Sequence, residues 1–150
     1  MALTTASEIA NYFIYVANET GSFISNLKLQ KLVYYAQAWH LGIYDTPLFD
    51  EEFEAWVHGP VIPSLFEEYK EFRWTPILKE VKKPGFPKKI EEFLEEINEI
   101  YFLCDGLELE LMTTRESPWM ESRKGLPRDE HSEAIISKES MRDYYKQRAA

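Results

Sequence analysis

Residues 26–69 read NLKLQKLVYYAQAWHLGIYDTPLFDEEFEAWVHGPVIPSLFEEY. This stretch decides the fold. At 100° per residue, Leu29, Leu32, Val33, Ala36, Trp39, His40 and Ile43 share one broad face of a helix over residues 27–44, and Tyr34, Ala38 and Leu41 form a second apolar stripe on the far side. Polar residues hold only the seams, Lys28 and Lys31 along one and Gln30 and Gln37 along the other. A helix apolar on two faces is either central, packed between other elements, or offers its second stripe to a partner. Asn26 is a suitable N-cap, and Pro47 ends the helix by disfavouring helical geometry at Thr46.

Beyond that stop, Leu48-Phe49 and residues 53–57 read as two short extended segments around an acidic turn, a small hairpin that must lie against the helix to be stable. His58-Gly59-Pro60 is a turn, and Pro60 and Pro63 both suit the first turn of a third helix whose buried side is Val61, Leu65, Phe66 and Tyr69. Upstream, Thr5-Ala6-Ser7-Glu8 has capping-box spacing and opens a helix over 6–19, closed by Gly21. Downstream, residues 72–87, including Trp74, form a Pro- and Gly-containing connection. A fourth helix over 88–103 carries Ile90, Phe93, Leu94, Ile97, Tyr101 and Cys104 on one face and glutamates on the other. Asp105-Gly106 breaks the chain before Leu107, Leu109, Leu111 and Met112, which suit either a short helix or a strand, the helix being favoured. Pro118-Trp119 begins another short helical turn, and 128–133 is a polar loop. Ser137 caps a last helix holding Met141, Tyr144 and Tyr145, frayed over 146–150. The expectation is a mainly α, single compact helical domain over 1–150, with a small β-hairpin between the second and third helices.

The 150 residues, 45% hydrophobic and 15% aromatic, suffice for one core. One cysteine, Cys104, cannot form an internal disulfide, and neither a membrane-spanning run nor a signal peptide is read, so a cytoplasmic protein without a membrane partner is expected. The net charge of −9 is uneven: residues 1–44 hold two acids and two bases, residues 45–110 seventeen acids and seven bases, and residues 111–150 seven and eight. That field repels phosphate backbones and argues against direct nucleic-acid binding; it suits a basic protein partner or a solvated face with no partner.

Enzymatic chemistry is poorly supplied. Cys104 with His40, His58 or His131 is a formal nucleophile and base, but Cys104 falls on an apolar helix face, where a thiol acts as a small hydrophobe. No His-x-x-x-His or Cys-x-x-Cys spacing points to a metal. Adjacent acids such as Glu51 and Glu52 or Glu95 and Glu96 read as solvated surface, and no Gly-rich phosphate loop, G-x-S-x-G or H-E-x-x-H occurs. No catalytic, cofactor or metal residue is assigned. His40 is expected as a hydrogen-bonded core histidine, and His58 as a ring that ties down the backbone of its turn. The remaining signal is aromatic: four Trp, nine Tyr and nine Phe exceed what one small core obviously requires, so core packing accounts for most of them and a minority is expected to face a partner as interface anchors.

Residues 27–40 (LKLQKLVYYAQAWH), Pro47-Leu48-Phe49 and residues 54–63 (EAWVHGPVIP) resemble the Panacea domain family, which includes the antitoxin SocA and phage-associated GepA proteins. Ser117-Pro118-Trp119 resembles its Pro-Trp motif, and residues 136–144 its closing helix. The resemblance implies a helical antitoxin that neutralises a toxin encoded beside it, and a SocA-like branch that delivers its toxin to a ClpXP-type protease. It departs where the family often has Thr-His: Thr113-Thr114 removes any hydrogen bond from that His. The resemblance also implies that many relatives carry a separate DNA-binding module, for which this chain is expected to have no room. The functional expectation is therefore a non-enzymatic antitoxin binding its cognate toxin directly. The alternatives are a proteolytic adaptor and an acidic, DNA-mimicking phage inhibitor. Lys31, Tyr34, Trp56, His58, Gly59 and Pro60 are the expected partner-binding positions, and Leu29, Leu32, Trp39, His40, Pro63, Pro118 and Trp119 the structural ones.

Overall fold

The computed structural model describes residues 2–73 and 75–149, so Trp74 lies outside the described residues. The helix at the centre, α2 (Asn26–Tyr44), is capped by Ser25, one residue before the expected Asn26: the Ser25 hydroxyl accepts from the Lys28 amide at 3.2 Å. Asn26 turns inward instead, donating to the Phe66 carbonyl and accepting from Gln30. Every residue from Leu29 to Ala38 is buried, seam residues included. The second stripe of α2 is thus covered within the chain.

What covers it is the C-terminal helix α7 (Lys138–Ala149), which makes the most extensive helix contact in the fold and is helical through Ala149 rather than frayed from 146. The two backbones meet at Gly42, where an added Cβ would stand 2.6 Å from Tyr145 Cβ and 2.7 Å from the Tyr145 carbonyl carbon. Ile43, expected on the core face, is exposed instead because it lies beyond that contact near the helix end. Glu116 pins the pair: Tyr35 of α2 donates to its carboxylate at 3.0 Å and Tyr145 of α7 donates to its other oxygen. Burial raises the Glu116 carboxyl above its usual range, opposed by those two phenols.

On the other sides of α2 lie α1 (Ala6–Thr20), α4 (Lys88–Tyr101), and α5 (Gly106–Thr114). Local chemistry sets their ends. The Thr5 hydroxyl accepts from the Glu8 amide and Gly21 closes α1 at φ 65°, while Asp105 and Glu108 form a complete capping box on α5. The apolar stripe of α4 is buried as its periodicity predicts, but Cys104 falls in the turn beyond the helix, half-buried.

The sheet differs from expectation. Strand β1 (Phe53–Trp56) pairs antiparallel with β2 (Gly59–Val61) across a tip at Val57-His58, with Ala55 opposite Pro60. Leu48-Phe49 is buried but is not a strand: the Gln37 amide reads it, accepting from the Leu48 amide and donating to the Phe49 carbonyl, both at 2.8 Å. A side chain so placed satisfies the backbone that a paired strand would have satisfied. Pro60 accordingly sits on an edge strand, where a missing amide costs nothing, rather than at a helix start. On the other edge of β1, β3 (Ile135–Ile136) adds a third strand, so the order is β2-β1-β3. Helix α3 (Pro63–Glu68) begins at Pro63 and runs into a 3-10 turn, and α6 (Ser117–Ser122) completes seven α-helices among the described residues. With 57% helix, the chain is mainly α. No helix of the described residues is long and apolar enough to cross a membrane.

Candidate functional site

A groove of about 710 Å³ opens beside the hairpin tip. Leu27 at the start of α2, Trp56 and Val61 of the hairpin, and Phe66 of α3 form its apolar surface, with Lys70, Arg73, His58 and His131 at its edges. Trp56 and Phe66 meet edge-to-face at 5.3 Å, and the Trp56 indole donates to Glu54. The floor is held from below by buried amides, since Gln30 accepts from the Ile62 amide at 3.0 Å while donating to Asn26, which in turn holds Phe66. Both glutamines read as seam residues of α2 are therefore fasteners for neighbouring backbone.

The hairpin is gripped from behind by the Pro-Trp segment. Pro118 stands in the first turn of α6, and Trp119, 4% exposed, donates from its indole nitrogen to the Trp56 carbonyl at 2.8 Å. Arg123 lies over the Trp119 ring, donates from Nη1 to the Ala55 carbonyl at 2.8 Å and holds the 127–130 loop through Nη2 alone, while its Nε is buried without a partner. Arg128 reaches the Val57 carbonyl at 3.1 Å. The Thr114 hydroxyl donates back to the Glu110 carbonyl within α5.

Burial overturns two expected surface positions. Lys31 and Tyr34 are fully buried, Lys31 beneath the hairpin and Tyr34 beneath Phe53 and α7, so in the folded chain neither side chain meets a partner. Gly59 and Pro60 are buried as well and act by shaping the turn: Gly59 has φ 107°, and a Cβ there would lie 2.7 Å from Lys31 Cε. Trp56 is half-buried and His58 is exposed, and both line the groove. His58 does not tie down backbone; its Nδ1 faces Glu110 at 3.2 Å, and Arg128 approaches the same carboxylate oxygen at 3.4 Å.

The Lys31 ammonium donates to the Pro60 carbonyl at 3.3 Å, and burial pushes its pKa down to about 7 despite the attraction of Glu110. His40 is a core histidine: Nδ1 meets the Thr46 carbonyl at 2.6 Å, and burial lowers its pKa. Leu29 and Leu32 are fully buried, and Trp39 donates to the Tyr101 hydroxyl at 2.7 Å. The Cys104 thiol is pushed up by burial, the opposite of what a nucleophile needs. Among the described residues, no three His, Cys, Asp or Glu side chains converge on a metal-sized site. Phe66, Arg73 and His131 were missed as groove residues; only the sequence neighbourhood of Phe66 hinted at it, because the three are brought together by tertiary folding.

The geometry defines a helical module built round one buried helix, with a braced hairpin beside an apolar groove. The chain belongs to the family described as antitoxin SocA-like, Panacea domain, whose sequence model matches residues 29–120. The matched span contains the hairpin, the groove's Phe66 and Pro118-Trp119, and ends before the clamp's Arg123 and Arg128 and before the closing helix α7. No curated protein and no solved structure matches the chain significantly. Membership of an antitoxin family makes a toxin the expected class of partner.

Proposed function

We propose that this chain is one helical domain, working in the cytoplasm as an antitoxin that neutralises a cognate protein toxin by direct binding, with the groove beside the β1–β2 hairpin as the contact surface. The observation that carries this reading is the groove itself: accessible Trp56 and Phe66 on a floor fastened by Gln30, Asn26 and Trp119. Aromatic anchors on a braced surface lose little conformational freedom on binding, which is where interface energy concentrates. The role requires no catalytic group.

Co-expression with the product of each neighbouring open reading frame tests the proposal. One neighbour should arrest growth alone and be rescued by this chain, and Trp56→Ala should weaken rescue at unchanged antitoxin level. Toxicity in none of the neighbours, or rescue fully retained by both Trp56→Ala and Phe66→Ala, would remove the reading. Toxin half-life, followed with and without the chain, separates sequestration from degradation: sequestration leaves it unshortened.

A further inference from the structure

The groove has a charge character opposite to that of the molecule. The chain carries −9 overall, yet Lys70, Arg73, His58 and His131 border the groove, and among the described residues Glu110 is the only carboxylate in its lining, with Glu54 and Glu133 just outside it on the Trp56 indole and the His131 ring. Glu110 is only 8% exposed and already faces His58 and Arg128. The two permanent cations remain available. Lys70 and Arg73 are exposed; Lys70 has only a loose, solvent-exposed pair with Glu67 at 3.6 Å, and among the described residues no carboxylate lies within 4.0 Å of Arg73. Between these cations and the tip of the hairpin lies the aromatic floor, with Trp56 also near His131 at 6.2 Å between ring centroids.

Building on the antitoxin reading, we infer that the groove takes a short acidic segment of the partner: one large aromatic or aliphatic side chain seated against Trp56 and Phe66, with Asp or Glu carboxylates beside it meeting Arg73 and Lys70. The volume, about 710 Å³, is that of a site for one large side chain and its immediate neighbours. The complementary charges favour this segment over a basic one, which the cations would repel. Basic and single-stranded nucleic-acid ligands are distinguished by experiment: the aromatic floor is shared chemistry, but the acidic remainder of the molecule opposes a phosphate chain.

The test uses the full chain against phage-displayed random 12-residue peptides, followed by fluorescence anisotropy with labelled synthetic copies of the enriched sequences and with labelled oligothymidylate. Enriched peptides should carry a Trp, Phe or Leu with Asp or Glu within three positions. Trp56→Ala should abolish binding, and the Lys70→Glu/Arg73→Glu pair should weaken it about tenfold or more at low salt. Circular dichroism melts of each variant establish that it is folded; Lys70→Gln/Arg73→Gln, which removes charge without reversing it, should show a smaller loss in the same direction. Enrichment of basic or acid-free peptides, no enrichment, affinity indifferent to the charge variants, or oligothymidylate binding lost in Trp56→Ala would each overturn the inference. Rescue in cells is scored separately. Rescue without acidic-peptide binding removes only the segment chemistry, whereas acidic-peptide binding without rescue by any neighbour removes the antitoxin reading.

Discussion

Lys31 shows how one residue can hold a motif in place at a cost to stability. Its stem passes under Gly59, where no side chain would fit, and its ammonium reaches the Pro60 carbonyl. One hydrogen bond of this kind contributes about 1 kcal/mol. Against that, a pKa lowered from 10.5 to about 7 represents several kcal/mol, at about 1.4 kcal/mol per pH unit of displacement. Desolvation wins, so the charged form is disfavoured inside the fold. Between pH about 7 and 10.5 the unfolded chain binds more protons at this site than the folded one, and stability contributed by the site rises with pH; below about 7 the full cost stands. Lys31→Met should therefore be more stable than the wild type at pH 7, by about 1–4 kcal/mol on the scale of other buried-charge replacements. The gap should narrow as pH rises to 9.5. Urea unfolding of both proteins at pH 7, 8 and 9.5 measures it, and a gap independent of pH would refute the assignment.

Among the elements, α2 and α7 form the central pair, and Gly42 is their point of closest approach. In an isolated helix Gly→Ala adds about 1 kcal/mol of stability. Here the new methyl would meet two backbone atoms, the Tyr145 carbonyl carbon at 2.7 Å and the Lys146 nitrogen at 2.8 Å, neither of which can swing aside as a side chain can. The steric term outweighs propensity. Gly42→Ala should destabilise the chain by about 1–3 kcal/mol and raise amide hydrogen exchange along residues 141–149, whereas a stabilised variant with unchanged exchange would show that α7 does not pack this closely. The sequence revealed the helices well because caps and breakers are local: Thr5, Gly21, Asp105 and Pro63 act within one turn of themselves. It revealed the core through the apolar faces of α2 and α4. Periodicity divides a helix into faces but does not count the neighbours packed on it, so the seam residues Lys31, Gln30 and Gln37 looked solvent-facing and are buried. The sheet was harder to read for the same reason. Ile135-Ile136 is too short for a local strand pattern and exists as β3 only because β1 presents a free edge far earlier in the chain. Of the candidate site, Trp56 and His58 were legible from their place beside the Gly-Pro turn, while Arg73 and His131 depend on chain segments meeting in space.

At the scale of the whole molecule, two electrostatic effects oppose one another. With twenty-six acids against seventeen bases, the excess acids repel one another within the folded chain, and the whole excess lies in residues 45–110. The groove concentrates cations within that field. Salt screens both, since the Debye length falls from about 30 Å at 0.01 M to about 8 Å at 0.15 M, but screening acts in opposite directions on folding and on binding. Relief of self-repulsion should stabilise the free chain: if it is worth about 1 kcal/mol, the melting temperature rises by about 2–4 °C for a chain of this size. Screening Lys70 and Arg73 should weaken capture of an acidic segment over the same range. Melting curves and anisotropy titrations of the same preparation, from 0.01 to 0.3 M NaCl, should therefore diverge, with stability rising as affinity falls. The Lys70→Glu/Arg73→Glu variant should keep the first response and lose most of the second. Parallel salt responses in the wild type, or an unchanged salt dependence of binding in the variant, would mean that the groove's cations do not face the partner's carboxylates.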